Sequence, residues 1–158
     1  PNHPVGGVSW EDVQIFLTHL NAHQSAIIPA GWAYVLPTEA QWEYACRAGT
    51  TTVYSWGNEI NPNLANYYEQ DKNETTVNVG SYLPNPWGFY DMHGNVWEWL
   101  ADWYGPYDSN AVTNPTGPTT GSRRVKRVVP WATTGRTCVR LSGTTAPQAT
   151  VAATEAFV

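Results

Sequence analysis

Charge and cysteine are both scarce in this chain. Only 13% of its 158 residues are charged, and the net charge is −5. That balance argues against a phosphate-backbone partner, so no nucleic acid is expected. One basic cluster, Arg123, Arg124, Lys126 and Arg127, reads as a solvated strand entry rather than a nucleic-acid patch. No apolar run approaches the roughly 18 residues of a membrane-spanning helix, and no signal peptide is visible. The first residue is proline rather than methionine, so an upstream part is expected. The two cysteines, Cys46 and Cys138, are too few for a disulfide scaffold. They stand far apart in segments of different type, which reads as two separate small buried residues rather than one bridge.

Aromatic residues are abundant instead, with nine tryptophans and nine tyrosines, and the length fits one domain over residues 1–158 with a real core. Ser9 with Asp12 forms an N-cap with an acid at the third helical position. Val13, Phe16, Leu17 and Leu20 then recur at helical spacing as an apolar stripe. His19 and His23 lie four apart at the end of this helix, but no third metal ligand accompanies them. Trp32 to Leu36 reads as a short strand ended by Pro37. Thr38 and Gln41 form a second capping box. The helix that follows runs to about Ala48, with Trp42, Ala45 and Cys46 facing inward, Glu43 paired with Arg47, and Gly49 closing it. Further strands are expected at Thr76 to Tyr82, Arg124 to Trp131 and about Arg136 to Leu141, separated by long Gly-, Pro- and Asn-rich loops. Two early helices followed by scattered strands predict an α+β fold.

Five phrases in order carry a resemblance: Pro4–Val13 (PVGGVSWEDV), Leu36–Thr50 (LPTEAQWEYACRAGT), Tyr54–Tyr68 (YSWGNEINPNLANYY), Val79–Tyr104 (VGSYLPNPWGFYDMHGNVWEWLADWY) and Asn114–Pro118 (NPTGP). The chain resembles the formylglycine-generating-enzyme, or sulfatase-modifying-factor, family. The resemblance implies a C-type-lectin-like α+β fold with two helices, short antiparallel strands and long loops, lacking the family's usual N-terminal part. It also implies a structural calcium ion at the segment around Gly94–Trp99, held by Asn95, Val96 and Glu98. Trp97 and Trp99, two apart in extended chain, are expected to pack in the core.

Enzymes of this family hold copper(I) on two cysteines a few residues apart near the C-terminus, a pairing that suits a soft ion. Here that region carries Cys138 alone, so no copper and no catalytic residue is expected. From Ala132 to Ala156 the chain is almost entirely Thr, Ala, Val, Ser and Gly, with no Asn or Lys. This resembles the variable proteins of diversity-generating retroelements, whose C-terminal region is rewritten at adenines. Thr133, Thr134, Thr137, Thr144, Thr145, Thr150, Val151, Ala152, Ala153 and Thr154 stand where family members tend to have Asn.

The resemblance implies a non-catalytic binder with a variable region at residues 132–154. Its ligand face would comprise Ala132, Thr133, Thr134, Thr137 and Val139, then Ser142, Gly143, Thr144 and Thr145, then Gln148, Ala149, Thr150, Val151, Ala152 and Ala153. Cys138 is expected to point toward the core. The expected partner is a protein or cell-surface ligand, and the expected location is the cell surface or outside the cell. A copper-dependent oxidase or a pseudo-enzyme relative is the alternative.

Overall fold

The computed structural model describes residues 2–67, 75–107, 109–110 and 112–127. The described elements run α1 (Trp10–His23), α2 (Glu39–Arg47), β1 (Glu98–Trp103) and β2 (Arg124–Arg127). Both helices start where the capping patterns place them. Ser9 accepts from the Asp12 amide while the Asp12 carboxylate accepts from the Ser9 amide, and Thr38 and Gln41 repeat the exchange. Each box satisfies two amide donors that a helix start otherwise leaves open, worth about 1 kcal/mol apiece. Helix α2 ends through left-handed Ala48 and Gly49, and Arg47 meets Glu43 at 2.9 Å as the spacing predicts.

The core is small. Trp42 and Cys46 on the inner face of α2 pack with Met92, Leu100 and Val125, and Ala45 and Phe89 lie against them. Helix α1 contributes no fully buried residue, and Phe16, expected in its inner stripe, is 62% exposed. Val13, Leu17 and Leu20 are half-buried. The Trp10 indole ties this helix to the core sheet, since its Nε1 donates to the Leu100 carbonyl at 3.0 Å.

Strands β1 and β2 pair antiparallel, with Glu98 opposite Arg127, Trp99 opposite Lys126 and Trp103 opposite Arg124. The register shifts between Trp99 and Trp103, so β1 carries a bulge that increases the local twist.

Two expected strands are absent. Trp32–Leu36 and Thr76–Tyr82 run as irregular chain, and the physical reason is the same at both. Each has its backbone paired by an asparagine side chain rather than by a neighbouring strand. The Asn21 carboxamide accepts from the Tyr34 amide at 2.7 Å and donates to the Tyr34 carbonyl at 2.9 Å. Asn95 does the same to Val77, at 3.0 Å and 3.2 Å. A carboxamide offers one donor group and one acceptor, which is what a strand partner offers per residue. Asn85 extends the pattern, accepting from the Trp87 and Phe89 amides and donating to the Ala45 and Cys46 carbonyls. It thereby locks a turn onto the end of α2. Of the expected strand at Arg124–Trp131, Arg124–Arg127 is strand, and the remainder lies outside the described residues, as does the expected strand at 136–141.

Candidate functional site

The segment from Asp91 to Trp99 is built as a tight turn feeding β1. Asp91 and Asn95 both adopt left-handed backbone, with φ of 55° and 77°. The Gly94 amide donates to the Asp91 carbonyl and the Asn95 amide to the Asn66 carbonyl. A side chain at Gly94 would collide with the Asn66 carbonyl oxygen, so this position accepts glycine alone. Met92, His93 and Asn95 are buried beneath the turn.

Glu98, at the start of β1, accepts the Trp42 indole N–H at 2.6 Å. Burial raises its pKa, the Trp42 hydrogen bond opposes that, and the charge of Asp91 raises it further. The same turn carries the Asp91 carboxylate, which accepts the Gly80 amide at 2.8 Å, and backbone carbonyls, and oxygens of these kinds are what a hard cation takes. Of the three residues expected to hold calcium, Glu98 fits this chemistry. Val96 can enter through its carbonyl only. The Asn95 carboxamide is already engaged by Val77, with Asn66 Nδ2 at 3.4 Å. Asp91, which the sequence reading did not single out, is the second carboxylate. No group of three or more His, Cys, Asp or Glu side chains converges as a metal site among the described residues, so an ion here would rely on carbonyl oxygens.

His93 sits behind the turn, edge-on to Trp56 at 4.6 Å and to Tyr54 at 5.7 Å. Its Nε2 accepts the Ser55 amide at 3.2 Å, with the Ser55 hydroxyl at 3.0 Å, which assigns the proton of the neutral ring to Nδ1. Burial, and secondarily the Arg47 charge, lowers its pKa to about 4. Both ring nitrogens lie 3.9 Å from Cys46 Sγ. Cys46 is disulfide-bonded, which corrects the expectation of two separate thiols. A disulfide sulfur carries no proton, so its 3.5 Å approach to the Met92 carbonyl is packing rather than a hydrogen bond. Beside His93, a pocket of about 310 Å³ is lined by Trp56, Phe89, Met92, Asn66 and Asp91.

The ribbon β1–β2 delivers the chain to residue 128, and its cations are consumed in holding it there. Arg124 lies between the rings of Trp10 and Trp103, 3.8 Å and 3.5 Å from their centroids, and donates to the Ala101 carbonyl. Lys126 sits over Trp99 at 4.7 Å and Trp97 at 5.9 Å. Arg127 meets Glu39 at 2.6 Å and Glu43 at 3.5 Å, and the Tyr107 hydroxyl donates to Glu39 at 2.7 Å. The basic cluster does enter a strand, with Arg123 and Lys126 exposed as expected, while Arg124 and Arg127 are held by cation–aromatic and ion-pair contacts. Trp97 and Trp99 do share one side, as extended spacing predicts. That side is not the core, however, because Trp97 is 47% exposed and both rings face Lys126.

The fifteen residues expected to form the ligand face, from Ala132 to Ala153, lie outside the described residues, as does Cys138.

A profile of the sulfatase-modifying factor enzyme 1-like domain matches residues 1–157. The chain belongs to this family. It is 38% identical over 141 residues to the formylglycine-generating enzyme of Mus musculus, covering 80% of this chain and 34% of that enzyme. It therefore spans about a third of that relative's length. Among solved structures, it is similar to Treponema denticola variable protein 1, with a TM-score of 0.73 and 27% identity over 87% of this chain and 63% of that one. It is also similar to PvdO from Pseudomonas aeruginosa, with a TM-score of 0.56 and 35% identity over 66% and 40% of the two chains. The α+β, C-type-lectin-like fold of the formylglycine-generating type is shown by this family membership and by these structures. The family's known members thus include enzymes as well as a variable protein.

Proposed function

We propose that the chain is a non-catalytic ligand-binding module that displays residues 132–154 on a lectin-like framework, in the manner of retroelement variable proteins. The observation that carries this reading is the likeness to Treponema denticola variable protein 1 across 87% of the chain. The ligand would be a protein or a cell-surface group, and the disulfide-bonded state of Cys46 supports an oxidising location at the cell surface or outside the cell.

The experiment is to sequence the same locus in sibling isolates. Changes confined to residues 132–154 and arising at adenines are the expected result. An invariant segment overturns the reading. A neighbouring reverse-transcriptase gene with a near-copy of the 3′ end is the second expected mark.

The second reading, a copper-dependent formylglycine-generating oxidase, is favoured by the 38% identity to the Mus musculus enzyme. It requires two thiolates close together, and the chain's cysteines are Cys46 in the core and Cys138. Copper(I) binding together with aldehyde formation on a Cys-x-Pro-x-Arg peptide would establish it, and no turnover removes it. A structural calcium ion at the Asp91–Glu98 turn is proposed on the donor chemistry set out above.

A further inference from the structure

We propose that His19 and His23 on α1 form a binding site for a transition-metal ion of the zinc(II), nickel(II) or copper(II) class. The site is separate from the Asp91–Glu98 turn and independent of the display reading. Of the four histidines in the chain, the other two are engaged elsewhere. His3 Nδ1 lies 3.1 Å from the Thr76 hydroxyl, and His93 is buried with its Nε2 on Ser55. His19 and His23 are both exposed.

Their spacing and their helix bring the two rings together. Helix α1 runs unbroken from Trp10 to His23, and the Gln24 amide beyond it still donates to the Leu20 carbonyl at 2.8 Å. Helical geometry therefore holds through both positions. Residues four apart in such a helix have Cβ atoms about 5–6 Å apart, and the later side chain leans back over the earlier turn. Two imidazole nitrogens can then close on one ion at bond lengths of about 2.0–2.1 Å. Imidazole suits zinc, nickel and copper(II), whereas calcium takes oxygens, so this site and the proposed calcium turn select different ions.

Gln24 supplies a supporting contact. Its carboxamide lies 3.5 Å from His23 Nδ1. With the carboxamide oxygen turned to the ring, Nδ1–H donates to it and the Nε2 lone pair is left for the metal. A second hydrogen bond of this kind is what fixes the tautomer of a metal-bound histidine.

No third His, Cys, Asp or Glu side chain joins the pair among the described residues, so water fills the ion's remaining positions. Copper held here is bound by imidazole rather than by thiolate. Copper uptake by the chain is therefore no evidence for the oxidase reading unless aldehyde forms as well.

The test is a zinc titration of the intact chain, followed by calorimetry and by the imidazole resonances of all four histidines. Zinc is expected to bind and to shift the signals of His19 and His23, leaving those of His3 and His93 in place. His19→Ala and His23→Ala should each weaken binding at least about tenfold, because each removes one half of a two-point grip. Both positions are exposed and alanine is the best helix former, so these variants keep the fold. An excess of calcium should not displace the zinc. Absence of zinc binding, binding unchanged in the His19→Ala, His23→Ala double variant, or shifts centred on His3 or His93 overturn the proposal. An invariant locus would sink the display reading alone and leave this site standing.

Discussion

Gly94 has no room for a side chain, because its Cα faces the Asn66 carbonyl inside the turn that opens β1. Gly94→Ala is expected to cost about 2 kcal/mol or more, because the collision is with backbone rather than with a movable side-chain tip. Thermal melting checks it, and an unchanged midpoint would show that the turn can open. His93 makes the second residue-level prediction. Its pKa is about 4 in the folded protein against an ordinary 6.5, so the unfolded chain binds the extra proton between those values. The contribution of the neutral ring is complete above pH 6.5 and is lost as pH falls toward 4, with a ceiling of about 3 kcal/mol. Urea melts from pH 7 to 4 should show this slope, and His93→Gln should flatten it over that interval.

At the scale of elements, the clamp on β2 is the feature to break. Arg127, Glu39, Glu43 and Tyr107 join the end of the ribbon to α2, and the Arg127–Glu39 pair is mostly shielded from water. Arg127→Met is expected to destabilise by about 1–3 kcal/mol, much of it from leaving Glu39 shielded without its cation. The companion Glu39→Gln, Arg127→Met double variant should recover part of the loss, and chemical denaturation of the set reads out the coupling.

The two helices were legible because their starts are encoded locally, in Ser9–Asp12 and Thr38–Gln41, and local signals need no partner. Strands at Trp32–Leu36 and Thr76–Tyr82 were misread for the converse reason. Their β-branched and aromatic residues describe an extended chain correctly, but pairing depends on what lies alongside, and Asn21 and Asn95 lie alongside. Strand β1 hides among tryptophans whose facing depends on Lys126, a residue 27 positions beyond Trp99 in the chain.

For the whole molecule, the proposed calcium ion is the simplest lever. A ligand that binds only the folded state at a hundred times its dissociation constant adds about 2.7 kcal/mol. For a chain of this size that is a rise of roughly 5–10 °C in melting midpoint. Adding calcium after chelation should produce the rise. Glu98→Gln should abolish it while keeping an acceptor for the Trp42 indole. No rise in the wild-type chain removes the site. Glu98 is proposed from the motif, whereas Asp91 comes forward only from the fold, because its left-handed backbone in the same turn is not written in residue spacing.

The asparagine clamps carry a genetic consequence. Asn21, Asn66, Asn85 and Asn95 tie loop to loop through their carboxamides, and asparagine is spelled by adenine-rich codons. A mutator that edits adenines would therefore erase the cross-ties of its own scaffold if it strayed upstream. If residues 132–154 are rewritten as proposed, editing must be confined by position along the message rather than by base content, and clones with scattered substitutions at these four codons should be missing from any surviving population.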